Sequence, residues 1–227
     1  EDGLKLVATR ARLMHSLPPG GTMCSVRASE ADVRAAIKGF EDRVSVVAIN
    51  APNQVVISGS TSAVTEIAES LEAGGVRSET LAVFHAFHSP LMDDMLDEFE
   101  RLAEGFEFHM PRIPLVSNLT GRLMTDEIPG PRYWRQHIRN TVRFADGMQE
   151  IADQKVDAIL EVGPTASLLG MGRHCLSNFP ATWVASMRKG QDDWRVLLDS
   201  LAELYLLGVS IDWNGFDADW PRQRMSV

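Results

Sequence analysis

The stretch Val44-Ser45-Val46-Val47-Ala48-Ile49-Asn50-Ala51-Pro52-Asn53-Gln54-Val55-Val56-Ile57-Ser58 decides the fold. Two runs rich in β-branched residues, Val44 to Ile49 and Val55 to Ser58, flank the turn formers Asn50 to Asn53, which predicts two strands joined as a hairpin. Upstream, Thr22 to Val26 reads as a strand and Glu30 to Phe40 as a helix. Downstream, Ser62 to Ala73 reads as a helix closed by Gly74-Gly75, and Ser78 to Val83 as a strand. The resulting order, βαββαβ, is the split-βαβ or ferredoxin-like motif.

Elements outside this block have a different character. Leu4, Val7, Ala11 and Met14 form a helical stripe over Gly3 to Met14, and Pro18-Pro19-Gly20-Gly21 ends it. Past Pro90, Leu91 to Glu104 is an acidic amphipathic helix, Ile113 to Ser117 a short strand, and Met148 to Lys155 a helix. Ala158 to Val162 is an apolar strand that turns at Gly163-Pro164 into a helix beginning near Ala166. Trp194 to Leu207 closes the pattern, and a linker-like tail follows Ile211. Strand, turn and helix in that order predict α/β architecture.

With 227 residues, 44% of them hydrophobic, the chain can fill a real core. No run approaches the roughly 20 apolar residues that cross a bilayer, so no membrane partner is expected and cytoplasm is the expected compartment. A net charge of −9 repels phosphate backbones and argues against nucleic acid. Cys24 and Cys175 lie far apart without metal spacing and read as buried free thiols. Arg132, Arg135, Arg139 and Arg143 fall three and four apart. They form either a solvated face paired to carboxylates or a patch for an anionic partner.

The chemistry-bearing candidates gather around Phe84-His85-Ala86-Phe87-His88-Ser89-Pro90-Leu91-Met92, which sets His88 at the end of the predicted strand and before a helix. That placement suits a general base, and equally a hydrogen-bonded packing residue. His85 and His88 make an HxxH pair whose spacing to Asp93 and Asp94 matches no zinc signature, so no metal is expected. Arg10 lies in a stretch made for burial, where it is either an internal ion pair, a snorkelling stem, or a grip for a carboxylate ligand. No GxSxG elbow and no phosphate-binding glycine loop occurs.

Along nearly its whole length the chain resembles the acyltransferase domain of modular type I polyketide synthases, of the malonyl-CoA type. The resemblance rests on Leu6 to Met14, Leu17 to Gly21, Asn50 to Gly59, His85 to Met92, Val116 to Gly121, Tyr133-Trp134, Val142 to Met148 and Leu160 to Pro164, all in order. It implies an α/β-hydrolase-like core, truncated at its N-terminus, with an inserted ferredoxin-like subdomain. The core covers residues 1–20 and 84–207, the insert 21–83, and a post-acyltransferase linker 208–227. The activity implied is transfer of a malonyl unit from malonyl-CoA, through an acyl-serine, to the phosphopantetheine thiol of an acyl carrier protein. The family's GHSxG serine is not in this chain and is expected upstream of Glu1, so the chain alone is expected not to turn over.

By position, His88 matches the base that activates the serine and then the incoming thiol. His137 matches the residue whose backbone carbonyl orients that imidazole. Arg10 matches the arginine that grips the free carboxylate, and Asn50 an asparagine lining the site. His85-Ala86-Phe87-His88 resembles the malonyl-selective signature, with Phe87 filling the space of an α-methyl group. No permanently bound cofactor is implied. The implied partners are the carrier protein, malonyl-CoA, and neighbouring ketosynthase and linker domains. Thr141 stands where many relatives have proline and Thr165 where many have glycine. A non-catalytic carrier-docking fragment using the arginine face, and a stand-alone malonyl-CoA:carrier-protein transacylase, are the alternatives.

Overall fold

A computed structural model describes residues 1–219. Contacts divide the chain into two bodies, Glu1–Lys155 with Met171–Ser177, and Val156–Gly170 with the residues from Asn178 onward.

The first body opens with α1 (Asp2–His15). There follow β1 (Gly21–Val26), α2 (Glu30–Ala36), β2 (Val44–Ala51), β3 (Gln54–Ser60), α3 (Thr61–Ala73) and β4 (Ser78–Thr80). The four strands form an antiparallel sheet in the order β2-β3-β1-β4, which is ferredoxin-like topology. Residues Val33 and Ile37, with Val64 and Ile67 of α3, pack on the sheet side chains Cys24, Val26, Val44, Val46, Val55 and Ile57. In the central strand β3, residues Val55 to Gly59 are buried without alternation, so both faces of the strand are covered. Gly59 is required there: a Cβ would strike the carbonyl of Arg43.

The hairpin is tighter than the sequence suggests, because Asn50 and Ala51 continue β2 and only Pro52-Asn53 turn. A register shift between Val46 and Ala48 places both Val46 and Val47 inside. The bulged edge receives the segment after α5 (Pro131–Arg139). Val142 donates to the Val47 carbonyl at 2.8 Å and accepts from Ile49 N–H at 2.9 Å. Thr141 Oγ1 donates to the Val46 carbonyl at 2.7 Å, a bond a proline could not supply. These bonds fix the end of α5 on the sheet.

Several expected elements are shorter. The helix after Ser29 ends at Ala36, with Gly39 at φ +92° turning the chain. The strand from Ser78 stops at Thr80: beyond the Leu81 N–H bond to Met23, Val83 N–H bonds back to the Leu81 carbonyl, leaving the ladder. His88 therefore stands in a loop, not at a strand end. The expected helix at Leu91 is a short 3₁₀ turn, Pro90–Met92, leading into α4 (Asp93–Ala103). Met92, Met95, Leu96 and Phe99 of this segment pack with Leu6, Leu13, Met14 and Ile138 in a second core. The strand expected over Ile113 to Ser117 shrinks to β5 (Val116–Ser117), paired with β6 (Arg122–Leu123), which the sequence reading lacks. Pro114 has no N–H to give a longer ladder. Beyond α5, α6 (Phe144–Asp153) starts four residues before the expected Met148.

In the second body, β7 (Ala158–Glu161) pairs in parallel with β8 (Thr182–Ala185), a strand also absent from the sequence reading. Glu161 accepts from the N–H groups of Leu168 and Leu169 at 3.2 and 2.7 Å, satisfying the start of α7 (Ser167–Cys175). Helix α8 (Asp193–Leu206) is capped by Asp192 and tied to β8 by Ser200 Oγ, which donates to the Ala185 carbonyl. A short helix α9 (Trp213–Phe216) follows, and the expected linker's last residues, 220–227, lie outside the described residues. Among the described residues, no helix is long and apolar enough to cross a membrane.

Candidate functional site

Three elements of the first body bring Arg10, His88 and His137 together. Arg10 projects from α1, where Leu6, Leu13 and Met14 anchor the buried stripe. His137 lies in the last turn of α5, beside buried Ile138. His88 occupies the loop between β4 and the 3₁₀ turn, with φ at +60°. Left-handed backbone is uncommon for a residue with a Cβ and collects at functional sites. Ser89, fully buried, braces the loop by donating to the Ala86 carbonyl at 2.7 Å and accepting from Leu91 N–H at 3.2 Å.

Arg10 Nη1 lies 3.3 Å from His137 Nδ1. A guanidinium only donates, so Nδ1 accepts and His137 carries its proton on Nε2. The His88 and His137 rings stand 6.2 Å apart, and Trp134 and Tyr133 close the aromatic cluster around His137. Burial lowers the His88 pKa to about 4, reinforced by the charge of Arg10 and by His137; backbone groups of Asn140 and His137 act in the opposite sense. His88 Nδ1 is buried without a hydrogen-bond partner among the described residues. Burial and Arg10 bring His137 to about 4 as well. Both imidazoles are neutral at neutral pH, and a neutral imidazole can take a proton.

Arg10 is the main charge in the cluster. Burial lowers its pKa, it forms no ion pair among the described residues, and its hydrogen-bond partner there is a neutral ring. A desolvated guanidinium without an anion is a costly arrangement that a carboxylate ligand would relieve.

Among the described residues, no hydrogen bond or ring contact joins the remaining candidates to the triplet. His85 meets His15 and Phe87 edge-on, both at 6.2 Å. With Ala11, Met14 and Leu17 these residues line an apolar groove of about 670 Å³, and Phe87 also packs on the second core. Asn50 accepts at its carbonyl from Cys175 Sγ at 3.1 Å, and no bond or ring contact among the described residues joins it to the triplet. Cys24 is buried as expected, whereas Cys175 is partly exposed.

The arginine face dissolves as a single helical surface, since α5 ends at Arg139 and Arg143 precedes α6. Three of its charges have internal partners. Arg135 pairs with Asp97 and Glu100, Arg139 with Asp93, and Arg143 with Glu30 and Asp146. Sequence reasoning missed that Arg139 also reaches the His88 carbonyl, at 3.3 Å. Only the spacing of arginines was visible in the sequence.

Residues 1–211 match the family model described as "Acyl transferase domain". Polyketide synthase GfsA of Streptomyces halstedii is 41% identical over the full chain, which spans 3% of that protein. The acyltransferase domain from the second module of the salinomycin polyketide synthase superposes with a TM-score of 0.88 at 41% identity, over 96% of this chain and 52% of that one. The acyltransferase domain of SpnD, solved in complex with 2-(pent-4-yn-1-yl)malonyl, gives 0.81 at 32% identity, over 89% of this chain and 50% of that one. The chain thus spans about half the length of these solved domains. It belongs to the acyl transferase domain family, among the acyltransferase domains of polyketide synthases.

Proposed function

We propose that this chain is part of a malonyltransferase that carries a malonyl unit from malonyl-CoA, through an acyl-serine outside the chain, to the phosphopantetheine thiol of an acyl carrier protein. The half-buried guanidinium of Arg10, which has no ion-pair partner among the described residues and lies beside two neutral imidazoles, carries this reading. A dicarboxylic acyl group would pair with that charge, and the 2-(pent-4-yn-1-yl)malonyl of the related SpnD domain is itself a dicarboxylic acyl group.

In this reading His88 is the general base. It takes the serine hydroxyl proton as Oγ attacks the thioester carbonyl, and returns it to the departing CoA sulfur. It then takes the carrier thiol's proton as that sulfur attacks the acyl-serine, and returns it to serine Oγ. Thioester is exchanged for thioester, and His88 ends neutral. The His137 carbonyl is assigned to orienting the His88 ring, Phe87 and His85 to the wall against an α-methyl branch, and Asn50 to the site's margin. The core at 1–20 and 84–207, the insert at 21–83 and the linker from 208 belong to the same proposal. So do the neighbouring ketosynthase and a cytoplasmic location, where acyl-CoA is met.

Intact mass spectrometry of the protein containing this chain, after brief exposure to malonyl-CoA or methylmalonyl-CoA, tests it. A malonyl adduct on a serine, with little methylmalonyl adduct, is expected. Absence of any acyl-serine contradicts the proposal.

A further inference from the structure

We propose that Arg139 is a positioning residue for His88, holding the left-handed backbone turn that carries the imidazole to Arg10 and His137; this rests on the acyltransferase reading above. Arg139 Nη1 donates to the His88 carbonyl and to Ser45 Oγ, each at 3.3 Å, while Nε donates to Asp93 Oδ1 at 2.6 Å. One planar fork therefore joins the histidine loop, β2 and the start of α4. The end of α5 from which it reaches is itself bonded to the β2 edge through Thr141 and Val142.

The carbonyl anchor matters because His88 sits at φ +60°. A residue with a Cβ relaxes toward negative φ unless its surroundings over-determine the backbone. Such relaxation would rotate Cα–Cβ and swing the ring away from the triplet. Ser89 fixes the peptide groups on either side, and its bonds leave the His88 carbonyl to Arg139. The groups facing His88 are Arg10 from α1, His137 and Arg139 from α5, and Asp93 from α4 as counter-ion to Arg139. Arg135, one turn earlier on α5, pairs only with α4 carboxylates among the described residues and provides the control.

The test uses the acyltransferase domain that contains this chain, as wild type, Arg139→Met, Arg139→Lys and Arg135→Met. It measures malonyl transfer against pH, together with NMR titration of the His88 imidazole. Arg139→Met is expected to lower kcat about 100-fold through misplacement of the base, with KM for malonyl-CoA within about twofold. His88 should then titrate above its native value of about 4, toward ordinary histidine, as the ring leaves its buried seat. Arg139→Lys should fall between, because an ammonium cannot span three acceptors in one plane. Arg135→Met should match wild type. A His88 titration and kcat in Arg139→Met equal to those of Arg135→Met would overturn the inference; where Arg139→Met does not fold, the same comparison with Arg139→Lys decides. A wild-type domain that transfers no acyl group sinks the functional reading instead, and the His88 titration still decides the role of Arg139.

Discussion

Arg10 Nη1 donates to His137 Nδ1 at 3.3 Å, placing a fixed positive charge beside two imidazoles that burial already disfavours as cations. Burial sets the protonation state of the site, and the Arg10 charge reinforces it. Replacing Arg10 with Met removes the repulsion and keeps much of the volume. Both histidines should then titrate higher, remaining below ordinary histidine because burial is the larger cause. Imidazole NMR titration of wild type and Arg10→Met checks this, and unchanged values would place Arg10 electrically apart from the ring pair.

The same values give the fold a pH dependence. The unfolded chain protonates these two histidines below about 6.5, whereas the folded chain does so only near about 4. Between those limits the unfolded state holds more protons, so stability falls as pH falls. The loss is on the order of a few kcal/mol for the two sites, discounted for the solvent that still touches His137. Urea midpoints measured at about pH 7 and about pH 4.5 should differ in that direction, and a double His88→Gln, His137→Gln variant should lose part of the difference.

Phe87 borders the groove with His85 and packs on the second core. Phe87→Ala opens that wall. The kcat/KM ratio of malonyl-CoA to methylmalonyl-CoA should fall by roughly 1–3 kcal/mol, about tenfold or more. A ratio that does not move would make Phe87 a core residue only.

In the sheet, Gly59 faces the Arg43 carbonyl with no room for a methyl group. Gly59→Ala should cost about 1–3 kcal/mol through backbone displacement. Gly170, whose Cβ position is open, should accept alanine at far smaller cost. Thermal unfolding of the two variants makes the comparison.

The βαββαβ order was legible because Val44 to Ser58 and its flanking helices carry local periodicity. Pairing at a distance was not. Arg139 and Asp93 are 46 residues apart, and nothing in either neighbourhood says that they meet. The arginine face looked like one surface because spacing alone cannot place a helix end, which Asn140, in extended backbone, sets after Arg139. β8 has only four residues, too few for alternation to distinguish it from a loop. For the site, ordered motifs singled out Arg10, His88 and His137. The left-handed backbone of His88 and the bracing by Ser89 have no signature in composition or spacing.

The most direct measurement compares malonyl-CoA with acetyl-CoA as donors to an acyl carrier protein, using the domain that contains this chain as wild type and Arg10→Ala. Wild type should strongly prefer malonyl-CoA. Arg10→Ala should lose malonyl transfer by about 2–5 kcal/mol in kcat/KM while acetyl transfer is kept or rises. Equal loss of both donors, or an unchanged preference, would contradict the account of Arg10 as the receptor for a carboxylate.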